Sequence, residues 1–500
     1  MTVTKTPETQ GRRPQSSVMA TSRARSWSSR AAAVGAVVAS LTACGGANAT
    51  SDAGDPGLDA GGDGGGRADA GRDAGTDGGA HDAGTDAGEP DSGSPIVCGA
   101  ATARFGGELC GPGASSACTI LADDRIDPGR ETRHTPAVAV DSADVPSILW
   151  YVPRGALTTA GMFSTRTAAG WDSARTLFDL SAGGLVFDAA DTAVAIASDT
   201  FNVDHYERHG VDWTLIERLP TDQAVDARTV HRDEGGCLYA LAQASTGLVG
   251  GAPTKLLRRD SDWHVTPMGS GVQDSASALA LAPSGETHVV WCEIIGGASC
   301  RVHWARGAAG DEVAWAGGSY RALGFDVAIA ASATSTGDEI PNVLFRAPDA
   351  AGGDELRYAT RAADATWSVA VLGSGRARGC TEPPTATGDS CVIDGLYFVP
   401  IAVVVSGSGD VRLFWVRNSE TGTLTGRCGA PGPVSCVWDE ATTRDARLFV
   451  ATPGAPAVEV GAGLDLENAS AVVDSTGRIH IAASDIMLGL RYLLVGPAPP

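Results

Sequence analysis

Six tryptophans recur along the chain at nearly even steps. Trp171, Trp213, Trp263, Trp315, Trp367 and Trp438 are separated by 42, 50, 52, 52 and 71 residues. Most follow an arginine by a few positions, in the pairs Arg166/Trp171, Arg208/Trp213, Arg259/Trp263, Arg306/Trp315 and Arg361/Trp367. An aromatic residue stands two or three positions before several of these arginines (Tyr206, Trp304, Tyr358), and Tyr492 fits the same slot. Self-similarity at this period marks a repeat architecture, in which each unit buries its apolar face only by stacking on its neighbours.

Two further strands lie upstream of each tryptophan, joined by a polar turn. Pro136 to Val140 leads through Asp141-Ser142 to Ile148-Leu149-Trp150-Tyr151. Ala278 to Leu281 leads through Pro283-Ser284-Gly285 to the strand of His288 and Trp291, and Ala471 to Val473 leads through Asp474–Gly477 to Ile479–Ala482. The unit is an apolar strand, a turn, a second strand, a strand ending in Arg, and a Trp strand. Four strands per unit of this length is a propeller blade. No stretch carries a convincing helical period, which excludes most α/β enzyme folds. The expected fold is all-β: a single β-propeller over residues 135–500, with seven four-stranded blades starting near residues 135, 184, 226, 277, 325, 398 and 468. The irregular stretch 376–440 leaves six or eight blades open. The seventh start has no Trp strand of its own. A strand from the cysteine-containing segment 98–134, such as Cys118–Ala122, is therefore expected to complete it and remove the exposed edges. On this reading the tryptophan row is structural, packing blade on blade.

The N-terminus reads as an address. Arg23, Arg25 and Arg30 precede an apolar run, Ala31–Leu41, of signal-peptide length and too short to span a bilayer as a helix of about 20 residues. Met19 is an alternative start that gives a signal of more usual length. Leu41-Thr42-Ala43-Cys44 resembles the lipobox of bacterial lipoproteins, which implies cleavage after residue 43 and lipidation of Cys44, hence a membrane partner through that lipid. Gly46, where an aspartate resembling an inner-membrane retention signal is absent, favours the outer membrane. Residues 44–97 follow as a tether of Gly, Ala, Asp, Thr and Ser in which Asp-Ala-Gly occurs six times. Such a segment cannot bury enough apolar surface to offset its ordering entropy, so it is expected to be a disordered linker. Its aspartates lack the spacing of a calcium loop. About 50 residues of flexible chain span roughly 40 Å, more when like charges repel.

Charge and cysteines narrow the partners. The net charge is −22. Residues 52–91 supply −9 of it, from ten Asp and one Glu against Arg67 and Arg72. Nucleic acid, which demands clustered Lys and Arg, is not an expected ligand. Setting Cys44 aside leaves ten cysteines. Three close pairs, Cys292/Cys300, Cys380/Cys391 and Cys428/Cys436, bracket turns or Gly/Pro-rich loops and are disulfide candidates. Pairing among Cys98, Cys110, Cys118 and Cys237 is left open. With no Cys-x-x-Cys and no histidine at zinc spacing, no metal site and no cofactor is expected.

The blades, such as those around SGETHVVW and LRYATRAADATW, resemble the sialidase-type (BNR-like) propellers of secreted bacterial proteins. The resemblance implies the fold. It does not bring the activity, because the strict Asp-box is absent, with Ser261-Asp262-Trp263 and Asp364–Trp367 only echoing it, and no arginine triad with a Tyr/Glu pair can be placed. No nucleophile elbow, phosphate loop or dinucleotide fingerprint occurs, and no catalytic residue is assigned. His288 and His480 fall at equivalent repeat positions, as do His205 and His303, and are expected to be packing or turn residues. The expected function is a non-catalytic cell-envelope lipoprotein presenting its propeller to a protein or glycan. The alternatives are a sialidase-like exo-glycosidase and an envelope scaffold.

Overall fold

A run such as Ile148-Leu149-Trp150-Tyr151 is apolar at every position, so the strand it forms must be covered on both faces. A computed structural model shows how. It describes Cys98, Gly99, Leu109, Cys110 and residues 118–497, apart from connecting segments of which 245–253, 380–389 and 429–435 are the longest. The signal peptide, Cys44, the tether and Cys380 lie outside the described residues.

The described residues form seven antiparallel sheets arranged as the blades of a propeller. β1 (Cys118–Pro128) comes first in the chain and last in the ring. Blade I is β2 (Ala137–Val140), β3 (Pro146–Pro153), β4 (Thr159–Thr167) and two short outer strands, β5 (Gly170–Trp171) and β6 (Arg175–Phe178). Blade II is β7 (Ala182–Phe187), β8 (Ala193–Ser198), β9 (Asn202–His209) and β10 (Asp212–Pro220). Blade III has a split inner strand, β11 (Gln223–Val225) and β12 (His231–Arg232), then β13 (Leu238–Ala244), β14 (Lys255–Arg259) and β15 (Trp263–Pro267). Blade IV is β16 (Gln273–Leu281), β17 (Thr287–Ile295), β18 (Ser299–Arg306) and β19 (Ala309–Ser319). Blade V is β20 (Asp326–Ala333), β21 (Glu339–Pro348), β22 (Asp354–Arg361) and β23 (Trp367–Ser374). After β24 (Arg376–Gly379), which pairs beyond the blade, blade VI is β25 (Ser390–Val405), β26 (Val411–Cys428), β27 (Cys436–Ala451) and β28 (Val458–Ala462). Blade VII is β29 (Leu466–Val473), β30 (Ile479–Asp485) and β31 (Gly489–Pro497), with β1 as its outer strand.

The seven blade starts expected from the repeat coincide with seven blades, and the count of seven holds through the irregular stretch. Consecutive residues of β3 point to opposite faces. Trp150 enters the seam with Tyr492 and Leu494 of blade VII, and Tyr151 enters the seam with Leu185 and Ala195 of blade II. Both are fully buried, each contributing roughly 3 kcal/mol. Where blades crowd together near the axis the inner strands carry small residues, as at Ala137, Ala139, Ala278 and Ala280. At Gly183 a Cβ would sit 2.3 Å from the carbonyl oxygen of Ile196, so only glycine fits.

β1 closes the ring as the repeat required, pairing with β31 from Cys118 opposite Pro497 to Pro128 opposite Gly489. Two disulfides staple this N-terminal segment. Cys110 bonds Cys118, and Cys98 bonds Cys237 in blade III. Between them Leu109, fully buried, packs with Val399, Phe414 and Leu464 near the seam of blades VI and VII. A third disulfide joins Cys292 to Cys300 across blade IV. Cys391 is also disulfide-bonded, while the side chains of Cys428 and Cys436 lie outside the described residues.

Blade VI departs from the pattern. Its three long strands run 16, 18 and 16 residues, where β17 and β18 have 9 and 8. Only one half of each strand belongs to the blade: Val399–Val405 pairs with Val411–Val416, and Arg447–Val450 pairs with β28. The other halves continue away from the Ser406–Asp410 turn as an arm about 25 Å long at 3.3 Å per residue, with β24 added at its edge opposite Asp394 and Leu396.

Candidate functional site

The repeated Arg and Trp residues meet at the seams between blades. Arg166, Arg208, Arg259 and Arg361 each lie directly opposite Trp171, Trp213, Trp263 and Trp367 across the outer strand pair. That register places both side chains against the preceding blade. Trp171 meets the Tyr492 ring edge-on at 5.0 Å with the Arg166 guanidinium over the same ring, and both reach Asp124 of β1. Trp213 meets Phe163 at 5.3 Å under Arg208. Trp263 packs on Val194, Ile196 and Leu219, while Arg259 pairs with Glu217 at 2.7 Å. Trp367 meets Trp304 at 5.7 Å with Arg361 over that ring, and both bond Glu312. At each of these four seams an arginine and a tryptophan of one blade clasp the blade before, with edge-to-face and cation–π attraction at the Trp171, Trp213 and Trp367 seams and a charged bond at the Trp171, Trp263 and Trp367 seams. Trp438 lies in β27, the third strand of blade VI counted outwards, and its side chain is outside the described residues.

The seam between blades III and IV lacks the clasp. Opposite Arg306 stands Ala309, not a tryptophan. Trp315 lies six positions later, opposite Val302, and packs on Phe345 of blade V at 5.6 Å. Arg306 turns the same way, to Glu286 of its own blade and Glu339 of blade V. A groove of about 630 Å³ opens at this seam. Leu256 forms part of its floor, Arg258 and His264 one wall, and Glu286 and Thr287 the other. Gly285 and Gly307 line it without side chains, and the Cys98–Cys237 staple bounds one end. The Arg258 guanidinium reaches Asp260 at 3.7 Å, and its Nε, buried beneath the groove surface, has no hydrogen-bond partner among the described residues. His264 bonds Asp260, whose carboxyl is held well below the usual range by the Asp262 amide and His264, despite some burial. The sequence did carry a signal for this groove: Arg306 and Trp315 are nine residues apart, against four to six in the other pairs.

A second polar cluster sits where the arm leaves blade VI and faces blade VII. Arg444 pairs with Glu420 and Asp465. Arg491 forks onto both oxygens of Asp123 at 2.7 and 2.6 Å and also reaches Asp485 and the Gly463 carbonyl. Burial pushes the Asp465 carboxyl up and the Tyr397 phenol up to about 12. Beside them the Asn418 amide is fully buried, with no partner at either end among the described residues. Each arginine is held by two carboxylates: Arg444 ties Glu420 at the base of the arm to Asp465, and Arg491 holds β1 to the rest of blade VII.

The histidines singled out by the repeat are built into turns and strands. His480 bridges Asp474 and the Tyr492 hydroxyl, and His288 contacts Glu339 of the next blade at 3.5 Å. His303 stacks on Trp291 between Glu293 and Asp311. His205 is buried beside Glu207, and burial together with the Arg259 charge lowers its imidazole to about 4. At the Asp-box echoes the turns are closed by acids, Asp364 accepting the Thr366 amide and Asp260, just ahead of Ser261-Asp262-Trp263, accepting the Ser261 and Asp262 amides. Among the described residues no group of three or more His, Cys, Asp or Glu is placed to hold a metal ion.

No protein-family model and no curated protein sequence matches the chain. Among solved structures it is similar to a protein of unknown function from Dyadobacter fermentans, at 8% identity over 76% of this chain and 99% of that one, with a TM-score of 0.37. It is also similar to AofleA from Arthrobotrys oligospora (9% identity, 70% and 97% covered, TM-score 0.34). A third is the Aleuria aurantia lectin in complex with α-methyl-L-fucoside (11% identity, 67% and 96% covered, TM-score 0.34). Likeness this distant says nothing of what this chain binds.

Proposed function

We propose that this chain is an exported lipoprotein, anchored at the outer membrane through Cys44, that holds its propeller out on an acidic tether and binds a protein partner without turning it over. The basic, apolar and lipobox segments ending at Cys44 support the anchor. The observation that carries the binding role is the arm of blade VI. Ring closure does not require it, its Val392 is 71% exposed, and its base is tied down by Arg444, which pairs with Glu420 and Asp465. Extended sheet of this kind offers main-chain and side-chain contacts to a macromolecule. A sialidase-like enzyme, by contrast, needs several arginines presented to a substrate carboxylate. Arg166, Arg259, Arg306 and Arg361 are instead paired with Asp124, Glu217, Glu286 and Glu312.

Two measurements test the proposal. Cells fed labelled palmitate should label the wild-type protein and not Cys44→Ala; equal labelling of both removes the anchor. Purified protein incubated with a panel of sialosides and other glycosides should release no sugar. Turnover of any of them removes the non-catalytic role and restores the enzyme.

A further inference from the structure

We propose that the groove between blades III and IV is a slot for an aromatic side chain, an indole above all, carried by a partner peptide. The slot is separate from the arm, and the two stand or fall independently. The ring itself shows what such a seam accommodates. At three equivalent seams an indole of the following blade meets an aromatic ring of the preceding blade at 5.0 to 5.7 Å, with a guanidinium over that ring. At the blade III–IV seam blade IV supplies neither the indole nor its arginine, since Trp315 and Arg306 both serve blade V, and the Trp263 edge that lines the groove belongs to blade III and packs on blade II. What remains has the parts of the same receptor.

Leu256 occupies the place that Phe163 holds under Trp213: both lie in the third strand, three positions before the repeated arginine, and both pack toward the following blade. It offers an aliphatic floor. Arg258 stands on the wall, half-exposed and 3.7 Å from Asp260, where the outer face of its guanidinium can lie against an incoming ring. Gly285 and Gly307 leave the opposite rim open to a backbone. A volume of about 630 Å³ admits an indole together with flanking main chain. Glu286 across the groove is neutralised by Arg306 at 2.6 Å, so the slot does not select for a cation.

The test is ligand-observed saturation-transfer NMR on the full-length protein, with N-acetyl-tryptophanamide as the probe and N-acetyl-alaninamide and α-methyl hexosides as comparisons. Ala309→Trp restores an indole at the register position opposite Arg306 and should fill the slot. Arg258→Ala, a half-exposed position, leaves the fold intact and keeps the test open if Ala309→Trp does not fold. The expected result is transfer to the indole protons of the probe with wild-type protein, none with Ala309→Trp, and an affinity about threefold weaker with Arg258→Ala. No transfer with wild-type protein overturns the slot. So does transfer undiminished in both variants, or transfer to a hexoside and not to the indole. None of these outcomes bears on turnover or on the arm.

Discussion

Ser475 donates both its amide and its hydroxyl to the carboxylate of Asp144, at 2.8 and 2.5 Å, across the seam where the last blade meets the first. Ser142 does the same to Asp191 one blade on, again at 2.8 and 2.5 Å. In each case a serine at the second position of a strand-connecting turn grips the fourth residue of the next blade's turn. Both acceptors adopt positive φ, 61° at Asp144 and 58° at Asp191, within turns closed by Asp141 and Asp188. Replacing Asp144 therefore removes two charged hydrogen bonds from the closing seam. Asp144→Ala should lower stability by about 1–2 kcal/mol in denaturant unfolding, and Asp144→Gly by less, because glycine accepts the positive φ. Equal stability of all three proteins would show that the clasp contributes nothing.

The Arg–Trp clasps are expected to hold blade to blade. Trp213→Ala leaves Phe163 and Arg208 without their partner and should cost about 2 kcal/mol, less than a fully buried tryptophan because the indole is only half-buried. Trp213→Phe should recover at least half of that, since a smaller ring still meets Phe163 edge-on. Melting temperatures in the order wild type, Phe, Ala check the series. A phenylalanine variant no better than alanine would contradict it.

Two buried groups set the acid side of the stability profile. Burial, then the Arg259 charge, lowers His205 from 6.5 to about 4. The unfolded chain thus takes up a proton that the folded one resists, and this stability is lost as pH falls from about 6.5 through 4. For Glu339 burial acts upward, but hydrogen bonds involving His288 and Ser284 outweigh it and bring the carboxyl down to about 2. Its contribution is complete above about 4.5 and lost as pH falls toward 2. Unfolding midpoints from pH 7.5 to 2.5 should show a shallower first step in His205→Gln and a shallower second step in Glu339→Gln. Profiles parallel to wild type would contradict both assignments.

The Cys98–Cys237 staple closes a loop of 139 residues from the tether to blade III. A Cys98→Ser/Cys237→Ser protein should lose up to about 5 kcal/mol, the chain-entropy bound for a loop of that size. Blade VII should stay closed, because β1 keeps its own pairing with β31 and its Cys110–Cys118 bridge. Hydrogen exchange checks this: the β1 amides paired with β31 should stay as protected in the variant as in wild type, and their loss of protection would contradict it.

Much of this architecture is legible in the residues. Strands buried on both faces are apolar at every position, as at Ile148–Val152, and each is followed by its own turn, so all seven blade starts can be counted. The closing strand follows from the seventh unit's having no Trp strand of its own. The arm does not follow. Its outer parts, Asn418–Cys428 above all with three Thr, two Gly and one Ser, carry a composition that reads as loop when only the local pattern is weighed. They are strands because each borrows the register of a blade that precedes or follows it in the chain, a tertiary effect that local propensity cannot report. The blade III–IV groove was half legible. The wide Arg306–Trp315 spacing marks the seam, but the direction in which Trp315 packs depends on register shifts within β19.

The most direct measurement places a photo-crosslinking residue at position 392 on the arm of the lipidated protein in intact cells, with position 313 on the outer strand of blade IV as comparison. Both positions are exposed. A binding platform that uses the arm predicts one discrete, stoichiometric protein adduct at 392 and none at 313. No adduct at 392, or the same adducts at both positions, would contradict it.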